Sequence, residues 1–499
     1  MLRKIRLALA CVFFTIITLL FLDFTGTLHA WFGWMAKIQF LPALLALNFG
    51  VIIALVLLTL LFGRIYCSVI CPLGVMQDVI AWFGKKSKKN RYSYSPAKSL
   101  LRYVVLALFV VATVAGIGSV TALLAPYSSF GRIANNLFAP IWQAGNNLLA
   151  YFAERADSYM FYSTEVWIKS VPVFVIAAVT FIIIAILAWR GGRTYCNTIC
   201  PVGTVLGFLA KYSWFKPVID KSKCGGCTLC EKNCKAACIN VAERSIDYSR
   251  CVACGDCIGK CRKGAISFTH PAKAEKREAE VVGASDNLKA DAGRRAFLAA
   301  TAVVAGTSIL KAQEDKVDGG LAAIEDKKVP KRTTPIVPPG AVGLRNLTQH
   351  CTGCQLCVSV CPNGVLRPSS DLMRLMQPES SYERGYCRPE CTKCSDVCPA
   401  GAIKPISVED KSSTQIGHAV WVKENCIVVS DGVSCGNCAR HCPVGAIKMV
   451  NIDPQDKKSL RIPVVNEERC IGCGACENLC PSRPFSAIYV EGHEVHKTI

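Results

Sequence analysis

The sequence predicts a multi-domain chain: an α-helical membrane bundle of four spans, followed by compact α+β modules dense in cysteine. Three observations predict it. Four apolar stretches near the ~20 residues that a helix needs to cross a bilayer all fall within the first 190 residues. The 30 Cys of the 499-residue chain are clustered at spacings of two and three residues. The net charge of +21 belongs to the apolar half: residues 1–312 hold 35 Lys and Arg against 15 Asp and Glu, and residues 313–499 hold 22 against 21. Basic excess placed in this way points to membrane topology, so no nucleic-acid partner is expected.

The stretches lie near Ile5–Phe24, Ala43–Phe62, Tyr103–Ala125 and Val171–Trp189. No small-residue cleavage site follows the first, which therefore reads as a retained helix and not a signal peptide. Arg3, Lys4 and Arg6 precede the first span, and Arg64, Lys85, Lys86, Lys88, Lys89, Arg91, Lys98 and Arg102 fill the loop between the second and third. Arg190 and Arg193 follow the fourth, and the other two loops have little net positive charge. The positive-inside rule puts both ends of the four-helix unit in the cytoplasm. The expected organisation is a membrane domain over 1–212, a small cysteine-rich module over 213–270, a linker over 271–340 and a larger cysteine-rich module over 341–499. The linker carries Arg294-Arg295-Ala296-Phe297-Leu298, opening a weakly apolar run within 294–312.

One repeat stands out. Gly63-Arg64-Ile65-Tyr66-Cys67-Ser68-Val69-Ile70-Cys71-Pro72-Leu73-Gly74 recurs as Gly192-Arg193-Thr194-Tyr195-Cys196-Asn197-Thr198-Ile199-Cys200-Pro201-Val202-Gly203. Each copy follows an even-numbered span. On one helix, cysteines four apart would share a face. Cys67, Cys71, Cys196 and Cys200 are thus candidates for a redox or ligand role: a converging four-thiol site, redox-active disulfides, or contact with a cofactor edge. The plainer alternative is that Cys-Pro only marks the membrane exit.

The other cysteines have the spacing of [4Fe–4S] ligands, three from one tight loop and a fourth more distant, which in two-cluster ferredoxins serves the other cluster. The small module holds Cys224, Cys227, Cys230, Cys234 and Cys251, Cys254, Cys257, Cys261. Crossed ligation predicts Cys224, Cys227, Cys230 and Cys261 on one cluster, and Cys251, Cys254, Cys257 and Cys234 on the other. The larger module holds four quartets, each ending in Cys-Pro: Cys351, Cys354, Cys357, Cys361; Cys387, Cys391, Cys394, Cys398; Cys426, Cys435, Cys438, Cys442; and Cys470, Cys473, Cys476, Cys480. Their pairing is left open. Zinc also takes four thiolates, but through paired two-Cys knuckles. Six quartets therefore predict six [4Fe–4S] clusters in ferredoxin-like α+β modules. Cys238 has no assigned role, and Cys11, inside the first span, reads as a packing residue. No His pair suits a haem within the spans and no Cys-x2-Cys-His motif occurs, so no haem is expected.

These motifs carry a resemblance. Residues 1–270, with four spans, Cys67/Cys71, Cys196/Cys200 and a two-cluster module, resemble the NapH/MauN-type membrane ferredoxins. Residues from about 290 resemble the NapG-type polyferredoxins, through the twin arginine, Pro338-Pro339-Gly340-Ala341, the four quartets and the long Cys426–Cys435 spacer. The chain resembles a natural fusion of the two, although the Cys387-x3-Cys391 start departs from the family spacing. The resemblance implies a quinol dehydrogenase, an electron-transfer subunit that draws on the membrane quinol pool and supplies a periplasmic reductase of the nitrate reductase type or another carrier. It also implies the bacterial inner membrane, multi-pass.

A domain that receives its clusters in the cytoplasm must be exported folded, and the twin-arginine segment fits that route. The expectation is 213–270 in the cytoplasm and 341–499 in the periplasm, with a mobile quinone or a partner connecting them. His29, Trp31 and Trp34 are candidate quinol contacts, against the reading that they form an interfacial aromatic belt. Two other functions fit the same motifs: a non-enzymatic redox sensor or metalloenzyme maturation factor, and an all-cytoplasmic membrane polyferredoxin.

Overall fold

The computed structural model describes residues 2–23, 25–87, 92–158, 160–270, 325–456 and 458–499. The twin-arginine segment 294–312 lies outside the described residues.

Helix α1 (Leu2–Leu22) and helix α12 (Val171–Gly191) are long and apolar enough to cross a membrane, each of 21 residues. Most of their surface faces outward: α1 buries only Arg6, Ala10, Ile17, Leu20 and Phe21. The second and third expected spans are not continuous. Short helices α2 (Thr27–Phe32), α3 (Trp34–Lys37) and α4 (Phe40–Leu45) lead to α5 (Phe49–Phe62). Leu47 takes a left-handed conformation (φ 52°), and the Asn48 side chain caps α5 by accepting from Val51 N at 3.3 Å. Helix α8 (Ser99–Val114) likewise stops before Gly116 (φ 74°) and resumes as α9 (Gly118–Leu124). Apolar continuity hid both breaks, because the capping signals are single residues inside apolar runs.

After α5 come α6 (Ile65–Val69) and α7 (Pro72–Ser87); after α12 come α13 (Thr194–Thr198) and α14 (Pro201–Ala210). Gly63 and Gly192 end the long helices at φ 74° and 67°. A side chain at Gly192 would also meet the Lys235 carbonyl at 2.5 Å. Pro72 and Pro201 open the following helices, where the missing N–H costs nothing. The expectation that each cysteine pair shares one helix is therefore corrected. The first Cys lies on the short helix, and the second immediately precedes the next helix. The copies also exchange partners: α7 packs on α12, and α14 packs on α5 and α8. Between them run α10 (Pro126–Ile133), a π-helical turn over Ala134–Phe138, and α11 (Ala139–Arg155).

The small module is built on an antiparallel pair, β1 (Lys216–Ile219) with β4 (Ile266–Thr269), and a hairpin of β2 (Ile239–Asn240) and β3 (Ser245–Ile246). The larger module has three antiparallel pairs: β5 (Leu366–Pro368) with β6 (Pro378–Ser380), β7 (Thr414–Trp421) with β10 (Ile488–Thr498), and β8 (Ile447–Asn451) with β9 (Arg461–Val465).

The two modules dock at opposite ends of the long helices. The small module meets the start of α1 (Arg3 Nε to Asp256 at 2.8 Å), the end of α5 (Arg64 Nη1 to the Ser249 carbonyl at 3.1 Å) and the end of α12 (Arg193 N to the Lys235 carbonyl at 2.8 Å). The larger module meets the other end. Asn136 Nδ2 donates to Gln355 Oε1 at 2.8 Å, Lys169 Nζ to the Val358 carbonyl at 3.2 Å, and Lys393 Nζ to the Thr25 carbonyl at 3.3 Å.

Gly131 on α10 allows the closest approach, since a Cβ there would lie 2.3 Å from the Cys354 carbonyl oxygen. Gly131→Ala is expected to weaken this docking by about 1–3 kcal/mol, read as faster hydrogen exchange at the amides of residues 352–358. Unchanged exchange would contradict the contact.

Candidate functional site

The two copies of the repeat meet face to face. All four of their cysteines, Cys67, Cys71, Cys196 and Cys200, are buried with free thiols. Burial, then the neighbouring sulfurs of Cys196 and Cys67, push the Cys71 thiol far above its usual range. Cys200 is raised by burial and by Cys196, Cys67 and Cys71 together. The sequence placed the pairs 129 residues apart; the fold converges them.

The repeat's arginines cross between the copies. Arg64 Nη2 donates to the Cys196 carbonyl at 3.1 Å, and Arg193 Nη1 to the Cys67 carbonyl at 2.6 Å. Both side chains are fully buried. Gly203 N donates to Cys200 Sγ at 3.3 Å, and Gln77 Nε2 to Cys196 Sγ at 3.3 Å. The two copies depart from two-fold symmetry just after the repeat, where Gln77 has Leu206 as its counterpart. Asp78, six residues after Pro72, has Gly207 as its counterpart after Pro201. Asp78 holds Arg193 Nε (2.7 Å), Lys235 Nζ (2.7 Å) and Arg6 Nη1 (3.2 Å). Burial opposes its charge, but Arg193 and Lys235 outweigh it and hold the carboxyl well below the usual carboxylate range. Sequence reading missed Asp78; its signal was a lone acid in an apolar helix that becomes basic at its end.

In the ferredoxin-like modules, three cavities each gather three cysteines of one quartet with the fourth cysteine of its neighbour. One cavity is lined by Cys234, Cys238, Cys251, Cys254 and Cys257. In the larger module, one cavity gathers Cys426, Cys435, Cys438 and Cys480, and another gathers Cys442, Cys470, Cys473 and Cys476. Burial and then Cys351, Cys354 and Cys398 raise the Cys357 thiol; burial and then Cys387 and Cys361 raise Cys394. Cys398 is thus felt by the first quartet and Cys361 by the second. Cys230 is pushed up to about 11 by burial, with Cys224 and Cys227 beside it, and Cys261 Sγ accepts from Ala265 N at 3.2 Å. Amide donors reach Cys398, Cys442 and Cys480 in the same way, from Ile403, Ala446 and Ala487 at 3.2–3.4 Å. Among the described residues, no three Cys, His, Asp or Glu side chains gather tightly enough for a single metal ion. Four thiols around a cavity, with amide N–H groups aimed at sulfur, fit a [4Fe–4S] cube.

Cys238 is buried with its sulfur 3.5 Å from Cys234 Sγ, at the position that Ala265, Ala402 and Ala446 take after Cys261, Cys398 and Cys442. Cys11, expected to pack, is instead exposed and edges a cavity of about 590 Å³ between α1, α7 and the small module. Arg6, Asp78, Trp82, Phe83, Lys235 and Asp256 are among its walls. His29 is turned to Asp23 (3.4 Å), while Trp31 and Trp34 are exposed, as an aromatic belt would be.

A family described as a 4Fe-4S binding domain matches residues 44–90 and again 172–222, the two copies of the repeat. A 4Fe-4S dicluster domain matches 432–483, and another 4Fe-4S binding domain matches 348–367. The chain is similar to an uncharacterized protein of Methanocaldococcus jannaschii, 27% identical over 233 residues, covering 46% of this chain and 72% of that one. It is similar to the methylamine utilization ferredoxin-type protein MauN of Methylobacillus flagellatus, 24% identical over 212 residues, covering 41% of this chain and 62% of MauN. It is also similar to the ferredoxin-type protein NapH of Haemophilus influenzae, 25% identical over 217 residues, covering 42% of this chain and 63% of NapH. No solved structure matches. The chain therefore carries 4Fe-4S domains and has NapH- and MauN-type ferredoxin proteins among its homologues.

Asp78→Asn would leave Arg193 and Arg6 without their carboxylate, at a cost of about 3 kcal/mol. Because the folded-state pKa of Asp78 is depressed, its contribution is present above the unfolded value of ~4 and is lost as pH falls below it. The stability gap between wild type and Asp78→Asn, measured by denaturation in detergent, is expected to narrow between about pH 5 and pH 3. A gap constant across that range would contradict the assignment.

Proposed function

We propose that the chain is a membrane electron-transfer protein that draws electrons from quinol and relays them through [4Fe–4S] clusters to a periplasmic reductase or carrier. The observation that carries this reading is the docking of two ferredoxin-like modules at opposite ends of the same long helices. The outward apolar faces of α1, α5, α8 and α12, with Leu7, Ile53, Leu108 and Ile182 all exposed, support four spans in lipid. The positive-inside rule then favours a cytoplasmic small module and a periplasmic larger one. Twin-arginine export through Arg294-Arg295 supplies the route, and the NapG-type resemblance of the larger module fits it.

The chain's own residues do the holding and insulating. In the small module, Cys224, Cys227, Cys230 and Cys261 would ligate one cluster, and Cys251, Cys254, Cys257 and Cys234 the other. In the larger module the four sets are Cys351, Cys354, Cys357 with Cys398; Cys387, Cys391, Cys394 with Cys361; Cys426, Cys435, Cys438 with Cys480; and Cys470, Cys473, Cys476 with Cys442. Bound clusters supply one-electron carriers at potentials tuned by amide donors and burial.

The amphipathic cavity between α1 and α7 suits a quinol. Trp82 and Phe83 offer apolar and aromatic surface to a ring and tail, Arg6 and Lys235 offer donors to ring oxygens, and Asp256 lies between the ligands Cys254 and Cys257.

Trp82→Ala is expected to raise KM for a short-chain quinol about tenfold, with the cluster electron paramagnetic resonance (EPR) spectrum unchanged. Unchanged KM would exclude this cavity. Clusters that titrate but show no sustained quinol-to-acceptor turnover would favour a redox sensor.

A further inference from the structure

We propose that Cys67, Cys71, Cys196 and Cys200 together ligate one additional iron–sulfur cluster, shared by the two copies of the repeat and standing between the two ferredoxin-like modules.

The donor set comes first. Four buried thiols, two from each copy, are brought together where Arg64 Nη2 reaches both Cys67 Sγ and the Cys196 carbonyl, and none is engaged in a disulfide. Neither copy alone supplies four ligands, so the domain description that matches each repeat is satisfied by one shared centre.

Charge is the second observation. Arg64 is fully buried, and its hydrogen bonds go to Asn197 Oδ1, the Ser249 and Cys196 carbonyls and, at 3.8 Å, Cys67 Sγ. Among the described residues no carboxylate pairs with it. Around Asp78, Arg6, Arg193 and Lys235 share one carboxylate, and only Lys235 has a second, Asp256 at 3.2 Å. Buried cations call for compensation, and a cluster with four thiolates is anionic.

Orphaned donors are the third. Arg64 Nε and Arg193 Nη2 are buried without a hydrogen-bond partner, which a native structure rarely leaves unexplained. Sulfide and thiolate sulfurs would accept them, as Cys200 already accepts from Gly203 N and Cys196 from Gln77. Amide N–H groups are donated to the quartet cysteines in the same pattern.

Position gives the site its use, and this part rests on the relay reading. Arg64 touches both Cys67 Sγ and the Ser249 carbonyl, two residues before Cys251. On the other side, buried Tyr195, the residue before Cys196, bonds the Leu124 carbonyl at 3.0 Å. Buried Tyr127, three residues on from Leu124, lies on α10, whose Gly131 meets the Cys354 carbonyl. An electron leaving the small module thus meets the four-cysteine site before the first quartet of the larger one. Each transfer oxidises one cluster and reduces the next by a single electron, with no bond made or broken.

The test is made on the full-length protein, purified without oxygen and enriched in iron-57. Replacing all four cysteines by Ser is expected to remove about four iron atoms per chain and one component of the Mössbauer and EPR spectra, leaving the rest unchanged. Arg64→Gln, which keeps every cysteine, is expected to retain the iron and move one EPR-monitored midpoint to lower potential. Equal iron in the Ser variant and wild type, or no midpoint moved by Arg64→Gln, would overturn the proposal. Neither readout needs quinol, so failure of the relay reading appears separately, as a cluster present without turnover.

Discussion

The architecture depends on two arginines that cross between the copies of a twelve-residue repeat. Arg64 reaches the Cys196 carbonyl, and Arg193 reaches the Cys67 carbonyl. A guanidinium buried to this extent is costly unless its donors are met, so neither copy can settle without the other. That constraint fixes the four cysteines against one another. It also seats α7 on α12 and α14 on α5, the exchange that ties the long helices together.

The same crossing holds the small module in place. Arg64 continues to the Ser249 carbonyl, and Arg193 shares Asp78 with Lys235, a residue between Cys234, the fourth cysteine of its quartet, and the buried Cys238. The departure from two-fold symmetry falls where the module sits. A Cβ at Gly207, the counterpart of Asp78, would lie 2.4 Å from the Ser249 carbonyl. One copy of the repeat thus contributes a charge to the interface, and the other contributes space.

Much of this was legible in the sequence, because the informative signals were local. The quartet spacings and the twelve-residue repeat rest on residues a few positions apart, whereas the crossed pairing in the small module was expected from the two-cluster ferredoxin rule. Pairing in the larger module was not legible, since it joins Cys357 to Cys398 and Cys438 to Cys480 across long intervals. The breaks at Leu47–Asn48 and Gly116 were hidden by apolar neighbours. Cysteines four apart read as one helical face, yet Pro72 and Pro201 start new helices and turn Cys71 and Cys200 into residues at helix entrances. Asp78 stayed invisible because its partners Arg6, Arg193 and Lys235 are scattered along the chain.

The proposed relay requires the two modules to lie on opposite sides of one membrane. Protease accessibility of an epitope placed after Ile499, in intact spheroplasts with a cytoplasmic protein as control, tests this most directly. The relay predicts that external protease removes the epitope while the control survives. An epitope protected until the membrane is lysed would contradict it, and would leave a membrane polyferredoxin with every cluster on the cytoplasmic side.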